Sequence, residues 1–208
     1  MQLFLKRCLP VVVVALSLSQ TGVAWANLVI NGSFEDPNIA TGAYSILANI
    51  PGWSTTFGGG IEIQDHVAGS PFLGAQHVEL DSTRNSGMAQ SIATTVGATY
   101  RLSVAYSARP GIAAADNSIQ VFFNNVLVDT LAASGANLQD TLWQVFNYDV
   151  TGAVGTSVLE FRAAGTSNSY GGYLDAIRLE AVSEPSAVFL LGIGLLFLVR
   201  RFRRGDDS

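Results

Sequence analysis

Short apolar-rich runs, separated by turn-forming residues, recur along most of this 208-residue chain and limit the folds open to it. Glycine, asparagine, serine or proline lies between most of the runs, which is the pattern of β-strands joined by turns. No segment of residues 27–182 keeps an apolar helical repeat long enough to predict a helix in place of these strands. The sequence therefore predicts an all-β fold. Its predicted strands are 28–30, 61–64, 77–80, 88–93, 100–108, 118–123, 126–131, 143–150, 157–163 and 173–181.

Two of these runs indicate how the strands pair and pack. Every second residue from Tyr100 to Tyr106 is bulky and apolar, which gives that strand one face for a core. Asn124 and Asn125 separate two other runs, and asparagine tolerates the positive φ of a two-residue type I′ hairpin turn. Antiparallel hairpins with half-buried strands predict a two-sheet jelly-roll-like sandwich rather than a closed barrel.

The N-terminus has the pattern of an export signal. Two basic residues precede an apolar stretch at 9–18, and the segment closes on the small residues Ala24 and Ala26, spaced as signal peptidase requires. An uncleaved anchor is the alternative, but the apolar stretch is short and polar residues follow it. We expect residues 1–26 to be a signal peptide and the mature chain to begin at Asn27.

The C-terminus combines a Glu-Pro pair, Glu184 and Pro185, with an apolar run at residues 187–199. As a helix, the run would cover about 20 Å of a hydrocarbon core that is about 30 Å thick, which is too short for a permanent anchor. The run therefore predicts a short transmembrane helix that serves for sorting. A basic cluster follows, which the positive-inside rule keeps in the cytoplasm while the body lies outside. This combination predicts a processing signal in residues 183–208. The cluster comprises Arg200, Arg201, Arg203 and Arg204.

The body between these two signals, residues 27–182, is acidic and has no cysteine. It holds five arginines and no lysine against thirteen Asp and Glu residues, a formal charge of −8. The absence of a basic stripe excludes nucleic acid as the expected partner and favours divalent cations or neutral sugars. Cys8, the only cysteine of the chain, lies in the signal peptide, so disulfides and cysteine metal sites are excluded.

One candidate metal pair joins the two ends of the body. Glu35 follows the first predicted strand, and Asp175 lies at the start of the last. First and last strands of a sandwich often lie side by side, so the two carboxylates could meet and bind calcium with carbonyl oxygens as further ligands. Neither residue belongs to a contiguous calcium loop, and solvated surface carboxylates are the alternative.

Four aromatic side chains are candidates for stacking on a sugar, whose apolar face fits an aromatic ring. Trp53 follows a Pro-Gly turn, and Tyr170 lies in a loop of Ser, Asn and Gly; Tyr44 and Phe57 lie in similar surroundings. A place in the core is the alternative for Trp53. For Trp143, which begins a strongly apolar run, we expect a core position.

No set of residues carries a pattern typical of catalysis. The two histidines of the body lack a nucleophile elbow or a zincin spacing around them. Paired carboxylates of a glycosidase could be drawn from Glu62, Asp65, Glu79 and Asp81, and nothing in the sequence marks any of them as an acid. We therefore expect no catalytic residues and a body that is not an enzyme.

The C-terminal segment resembles the PEP-CTERM sorting signal of exported Gram-negative proteins. The resemblance lies in Glu184-Pro185-Ser186, the Leu- and Gly-rich segment 189–196 and the terminal arginines. It departs from that pattern at Ser183, where a first proline is usual. It implies transient inner-membrane anchoring, cleavage near Glu184 by a membrane-embedded exosortase-type protease, and delivery to the cell surface or an exopolysaccharide matrix.

The body resembles galactose-binding-like jelly rolls, the fold of many carbohydrate-binding modules. The resemblance lies in the opening segment 27–35 and in segments 52–53, 76–81, 100–111, 143–146, 159–165 and 173–175. It implies a structural calcium between Glu35 and Asp175 and, in some members, sugar binding by loops. We expect a module that binds polysaccharide of the matrix. A structural or adhesive matrix protein is the alternative, and a glycoside hydrolase comes third.

Overall fold

In the computed structural model, residues 26–182 form a sandwich of two antiparallel sheets, and these are the residues that the structure describes. Strands account for all the regular structure in this range, which confirms the all-β jelly-roll-like prediction. The predictions for the signal peptide before Ala26 and for the sorting segment after Val182 lie outside the described residues. Within residues 26–182, no helix is long and apolar enough to cross a membrane.

Twelve strands divide equally between the sheets. The first sheet has the order β1-β4-β5-β12-β7-β10, and the second has the order β2-β3-β6-β11-β8-β9. The strands are β1 (Tyr44–Leu47), β2 (Asn49–Ile50), β3 (Trp53–Phe57), β4 (Ile61–Gln64), β5 (His77–Glu79), β6 (Gly87–Ala93), β7 (Thr99–Ser107), β8 (Ile119–Phe123), β9 (Val126–Leu131), β10 (Gln144–Thr151), β11 (Thr156–Ala163) and β12 (Tyr173–Ala181).

Nine of the ten predicted strands are present with bounds that agree within one residue. Asn124 and Asn125 adopt φ of 53° and 62° and join β8 to β9, as the predicted hairpin requires. The predicted strand at 28–30 is wrong, because this segment turns beside β12. The N–H of Ile30 donates to the side chain of Gln90 and not to the backbone of a neighbouring strand. The three strands between residues 44 and 57 were not predicted, since their residues lack the alternation of a half-buried strand.

The core lies between the sheets and collects every second side chain of most strands. Trp53 is 1% exposed and packs between the rings of Phe34 and Phe161, each with a centroid 5.9 Å away. Its indole N–H donates to the carbonyl of Asn31. The candidate role of Trp53 as a ring for a sugar is therefore corrected: the ring is part of the core and has no free face.

The strand β7 shows where a second buried layer begins. Its residues from Tyr100 to Tyr106 that face the other sheet are at most 5% exposed, as predicted. On its opposite face Arg101 is exposed, but Ala105 and Ser107 are each 1% exposed. One half of the outer face of the first sheet is therefore covered, and loops rather than a third sheet provide the cover.

Candidate functional site

The covered half of the first sheet carries polar side chains on its outer face. Ile61, Ile63 and Val78 point into the core, so strand alternation turns their neighbours outward. All of these outward side chains are 6% exposed or less, which is unusual for polar residues. We call this set the polar face; it comprises Glu62, Gln64, His77, Glu79, Tyr173 and Asp175.

Two carboxylates of the polar face lie side by side. Glu62 and Glu79 are register partners on β4 and β5, and the amide nitrogen of Gln64 donates to both, at 2.8 and 2.6 Å. Arg109 Nη1 also donates to Glu79, as does the backbone N–H of Gly171 at 2.6 Å. Burial raises the pKa of Glu79 to about 8, and the positive charge of Arg109 opposes that rise.

Arg109 connects this buried pair to an exposed ring. Its guanidinium lies 4.8 Å from the centroid of the Tyr170 ring, within the range of a cation–π contact. The Arg109 side chain is 16% exposed and Tyr170 is 46% exposed. The polar face therefore reaches solvent at one end, through Arg109 and the ring of Tyr170.

The middle of the polar face contains buried polar atoms without partners. Among the described residues, both ring nitrogens of His77, the hydroxyl of Tyr173 and the side-chain oxygen of Gln64 have no hydrogen-bond partner. An unmade hydrogen bond of a buried group costs about 1–3 kcal/mol, so such a group is rare and calls for an explanation. Burial lowers the pKa of His77 to about 4, so its ring is neutral at neutral pH.

The ring of Trp143 lies against that of His77, and the ring of Phe72 lies against Trp143. The centroid of Trp143 is 5.8 Å from that of His77 and 6.1 Å from that of Phe72. The indole N–H of Trp143 donates to the carbonyl of Ser70 at 2.8 Å, which fixes the ring, and Phe72 is 46% exposed. The expected core position of Trp143 is therefore corrected: it directly precedes β10 and is only half-buried.

Residues 65–76, which we call the cover loop, are held on the sheet by three carboxylates. Asp140 accepts from the N–H of Ser70 at 2.7 Å, Asp175 from those of Phe72 and Leu73 at 2.9 Å, and Glu35 from those of Ala75 and Gln76 at 3.0 Å. Backbone N–H groups that point at carboxylates in this way fix the loop without any apolar core of its own. The position of Phe72 thus depends on charged side chains.

The structure brings the candidate metal pair to the same short loop. Burial, with a smaller contribution from the negative charge of Glu35, raises the pKa of Asp175 to about 7. Both carboxylates already accept backbone N–H groups of the cover loop, Glu35 through Oε1 and Asp175 through Oδ2. Residues 26–182 contain no cluster of three or more His, Cys, Asp or Glu that could hold a metal. Any further ligands would therefore be carbonyl oxygens or water.

The remaining candidate rings divide between the two sheets. Tyr44 is the register partner of Gln64 on the edge strand β1, so it borders the polar face, and it is 57% exposed. Phe57 lies on the second sheet beside Gly87 and is therefore not part of this site. The polar face is thus bordered by four rings, of which two were predicted. They are Tyr44, Tyr170, Phe72 and Trp143.

The four carboxylates considered for hydrolysis do not form an exposed pair. Asp65 and Asp81 are 3% and 0% exposed, and Glu62 and Glu79 are held by the hydrogen bonds described above. A glycosidase needs two carboxyl groups that reach the scissile bond from opposite sides. The arrangement of Glu62 and Glu79 is that of a buried pair held by Gln64 and Arg109 beside a set of rings.

Comparison with known proteins finds a family match for the C-terminal segment. Residues 181–204 match the PEP-CTERM protein-sorting motif. The chain is 28% identical over 179 residues to a multifunctional-autoprocessing repeats-in-toxin of Vibrio cholerae serotype O1, a match that covers 83% of this chain and 3% of the toxin. The chain thus spans about 3% of the length of that relative.

Two solved structures are similar to the sandwich. A family 35 carbohydrate-binding module from an environmental isolate is 17% identical, with a TM-score of 0.46, over 69% of this chain and 99% of the module. A family 16 carbohydrate-binding module is 16% identical, with a TM-score of 0.46, over 74% of this chain and 99% of the module. At these values the function of this chain has to be argued from its own residues.

Proposed function

We propose that this chain, whose residues 181–204 are a PEP-CTERM protein-sorting motif, is an exported protein whose sandwich binds neutral glycan of an exopolysaccharide matrix. The motif indicates export and C-terminal anchoring for sorting. The proposed role of the body is to bind the polysaccharide of that matrix through the polar face and the rings that border it. Processing by an exosortase-type protease near Glu184 is part of the same proposal.

The observation that carries this proposal is the contact between the half-buried ring of Trp143 and the ring of His77, whose buried nitrogens have no hydrogen-bond partner among the described residues. Trp143 and Phe72 offer apolar surface of the kind that stacks on a pyranose. Beneath them, His77 and Tyr173 offer a donor and acceptors, since neutral histidine has one of each and a phenol can do either. A sugar hydroxyl that enters beside Trp143 would give these atoms the partners that they lack.

The charge of the site favours a neutral sugar. Glu62, Glu79 and Asp175 lie on the polar face, and Arg109 is the cation that contacts it. Arg109 already donates to Glu79, so an anionic glycan would find no free guanidinium at the site and would be repelled by a body with a formal charge of −8. We expect uronate-rich polymers to bind more weakly than neutral ones at low ionic strength, and the difference to shrink as salt is added.

Affinity electrophoresis of residues 27–182 in gels that contain the producer's own polysaccharide tests the proposal. We expect retardation of the native body and its loss in the double variant Phe72→Ala/Trp143→Ala, because each ring supplies stacking area. The matched control is Phe57→Ala, which removes a ring of comparable exposure from the other sheet and should leave retardation unchanged. Equal mobility in gels with and without every polysaccharide tried would contradict the proposal.

A structural calcium ion held by Glu35 and Asp175 belongs to this proposal. Its support is the pair of carboxylates that share the cover loop, with the pKa of Asp175 raised to about 7 by burial. When bound, the ion would neutralise the pair and attach the first and last segments of the body to that loop. The position of Phe72 would then depend on calcium, so chelation should weaken glycan binding as well as stability.

A second candidate function is that of a structural matrix protein that assembles with itself, and one observation favours it. The strand β10 ends the first sheet and pairs with β7 over eight residues without a bulge. A long regular edge without lysine or proline invites pairing with another strand. Sedimentation of the body at micromolar concentration separates the two candidates: self-association that Val145→Pro abolishes and glycan does not affect would favour this one.

A further inference from the structure

One end of the sandwich, from which the C-terminal segment leaves, differs from the rest of the surface. It is formed by three connections, residues 93–99, 124–125 and 151–156, together with residues 181–182; we call it the tail end. Hydrogen bonds join its parts: the N–H of Val182 donates to Thr99, that of Gly97 to Gly152, and the amide of Asn124 to Thr151. The tail end is therefore a single surface.

The tail end carries no charged residue in any of these ranges. It exposes valines instead, one from each connection or its border and one from the tail. Val154 is 80% exposed, Val126 65%, Val96 62% and Val182 40%. Single exposed apolar residues are ordinary, but four of them on one uncharged surface of a body with a charge of −8 are not.

The opposite end of the sandwich has the reverse character. Its loops carry charges, among them Asp81, Arg84, Asp116 and Asp140, and the rings Trp143 and Tyr170 lie there too. The strand β10 runs from Gln144, next to Trp143, to Thr151 at the tail end, so one strand of eight residues separates the two surfaces. Such a strand spans about 26 Å at about 3.3 Å per residue. Arg101 and Asp149 flank the tail end and pair with each other, and Asp149 lines a groove together with Val126.

The tail end also opens a groove. Its volume is about 420 Å³, and Leu28, Ala93, Tyr100 and Ala181 contribute to its lining. Ala26, the last residue of the signal peptide by our prediction, lies at the same groove. The apolar and uncharged character of this end therefore extends inward, between the first and last described segments.

The length of the tether limits how far this end can lie from a membrane. The sorting motif begins at residue 181, and the apolar run begins at 187, five residues after Val182. Five extended residues span at most about 18 Å, and the polar interface of a bilayer adds about 5–8 Å on each side of its core. While the apolar run is in the bilayer, Val182 therefore lies no more than about 10–13 Å beyond the outer edge of the interface.

We propose that the tail end is a lipid-docking surface that rests on the bilayer interface while the chain is anchored for sorting. The exposed valines enter the headgroup region, and the lack of charge avoids the repulsion that an acidic surface would meet at anionic lipid. The docked body holds its candidate binding site at the far end, away from the membrane, where glycan can reach it before the chain is released.

Fluorescence from a label on the mature full chain, residues 27–208, tests this inference. The mature chain has no cysteine, so Val96→Cys and Val154→Cys each give a single attachment site for an environment-sensitive fluorophore. Ala136→Cys, exposed in a loop at the opposite end, is the matched control. Each labelled chain is reconstituted in vesicles of phosphatidylethanolamine and phosphatidylglycerol, with a nitroxide quencher on the lipid.

We expect a blue shift and lipid-dependent quenching for labels at 96 and 154 and neither for the label at 136. In the Val96→Cys chain, adding Val154→Asp should reduce the quenching, because a charge then enters the surface. An equal response at all three positions would overturn the inference, and so would failure of the full chain to float with the vesicles. A response at 96 and 154 that appears only when the processing protease is added would assign the surface to a protein partner and overturn lipid docking.

Discussion

Replacing Arg109 by alanine tests whether the polar face is held together by its buried ion pair. Glu79 is fully buried, and the Arg109 side chain is 16% exposed, so the substitution leaves a buried carboxylate without its cation. Removal of one partner from a buried pair costs about 3–5 kcal/mol. Gln64 and Gly171 still donate to Glu79 in the variant, so at pH 9, where Glu79 is ionised, we expect the lower end, about 3 kcal/mol.

This loss is measurable by urea unfolding and by thermal melting. For a body of this size, about 1 kcal/mol shifts the melting temperature by about 2–4 °C, so we expect a fall of about 6–12 °C. The matched control is Arg101→Ala, which breaks an ion pair with Asp149 whose side chains are 49% and 55% exposed and should cost at most about 1 kcal/mol.

The cost should also depend on pH. Burial already raises the pKa of Glu79 to about 8, and loss of Arg109 raises it further, so the folded variant holds a proton that the unfolded chain releases above about 4.5. A group with a raised pKa in the folded state loses stability as pH rises, so the variant should be weakest at pH 9 and recover toward pH 5. The reasoning is refuted if Arg109→Ala costs no more than Arg101→Ala at pH 9, or if Glu79→Gln fails to rescue it.

Three further predictions concern other parts of the fold. Burial lowers the pKa of His77 to about 4, so between about pH 6.5 and 4 the unfolded chain binds more protons than the folded one. Urea unfolding should therefore show that the free energy of unfolding of the native body falls by about 2 kcal/mol from pH 7 to 5, relative to that of His77→Phe. EDTA should lower the melting temperature of the native body and leave that of Asp175→Asn unchanged. The loss corresponds to about 2.7 kcal/mol if the calcium concentration before chelation was a hundred times the Kd, and equal shifts in both proteins would count against the ion. Trp53→Ala should cost about 3–5 kcal/mol and Phe57→Ala less than about 1 kcal/mol, and similar losses in urea would contradict the core position of Trp53.

Strand identity could be predicted because local pattern decides it. The run from Tyr100 to Tyr106 and the Asn124–Asn125 turn each encode their conformation within a few residues. The strands β1 to β3 could not be found this way. They are short or exposed, so pairing with distant strands such as β4 and β6, rather than their own residues, makes them strands.

The candidate site was only partly accessible to sequence analysis. Glu35 and Asp175 could be paired because first and last strands tend to lie together. No local sequence pattern, however, indicated that both carboxylates would accept hydrogen bonds from the cover loop. Trp143 was expected in the core because its run is apolar, but its position just before β10 leaves it half-buried. One signal was present: Glu62 and Gln64 alternate with Ile61 and Ile63, which marks a polar outer face.

Tryptophan fluorescence tests the central claim, that glycan binds at the rings of the polar face, most directly. The mature body has two tryptophans, so in the conservative variant Trp53→Phe the emission comes from Trp143 alone. Titration with the producer's polysaccharide should then give a saturable blue shift, which Phe72→Ala weakens and a neutral oligosaccharide reproduces. Emission that stays constant through the titration, while the same sample is retarded in a polysaccharide gel, would place the glycan elsewhere and contradict the account.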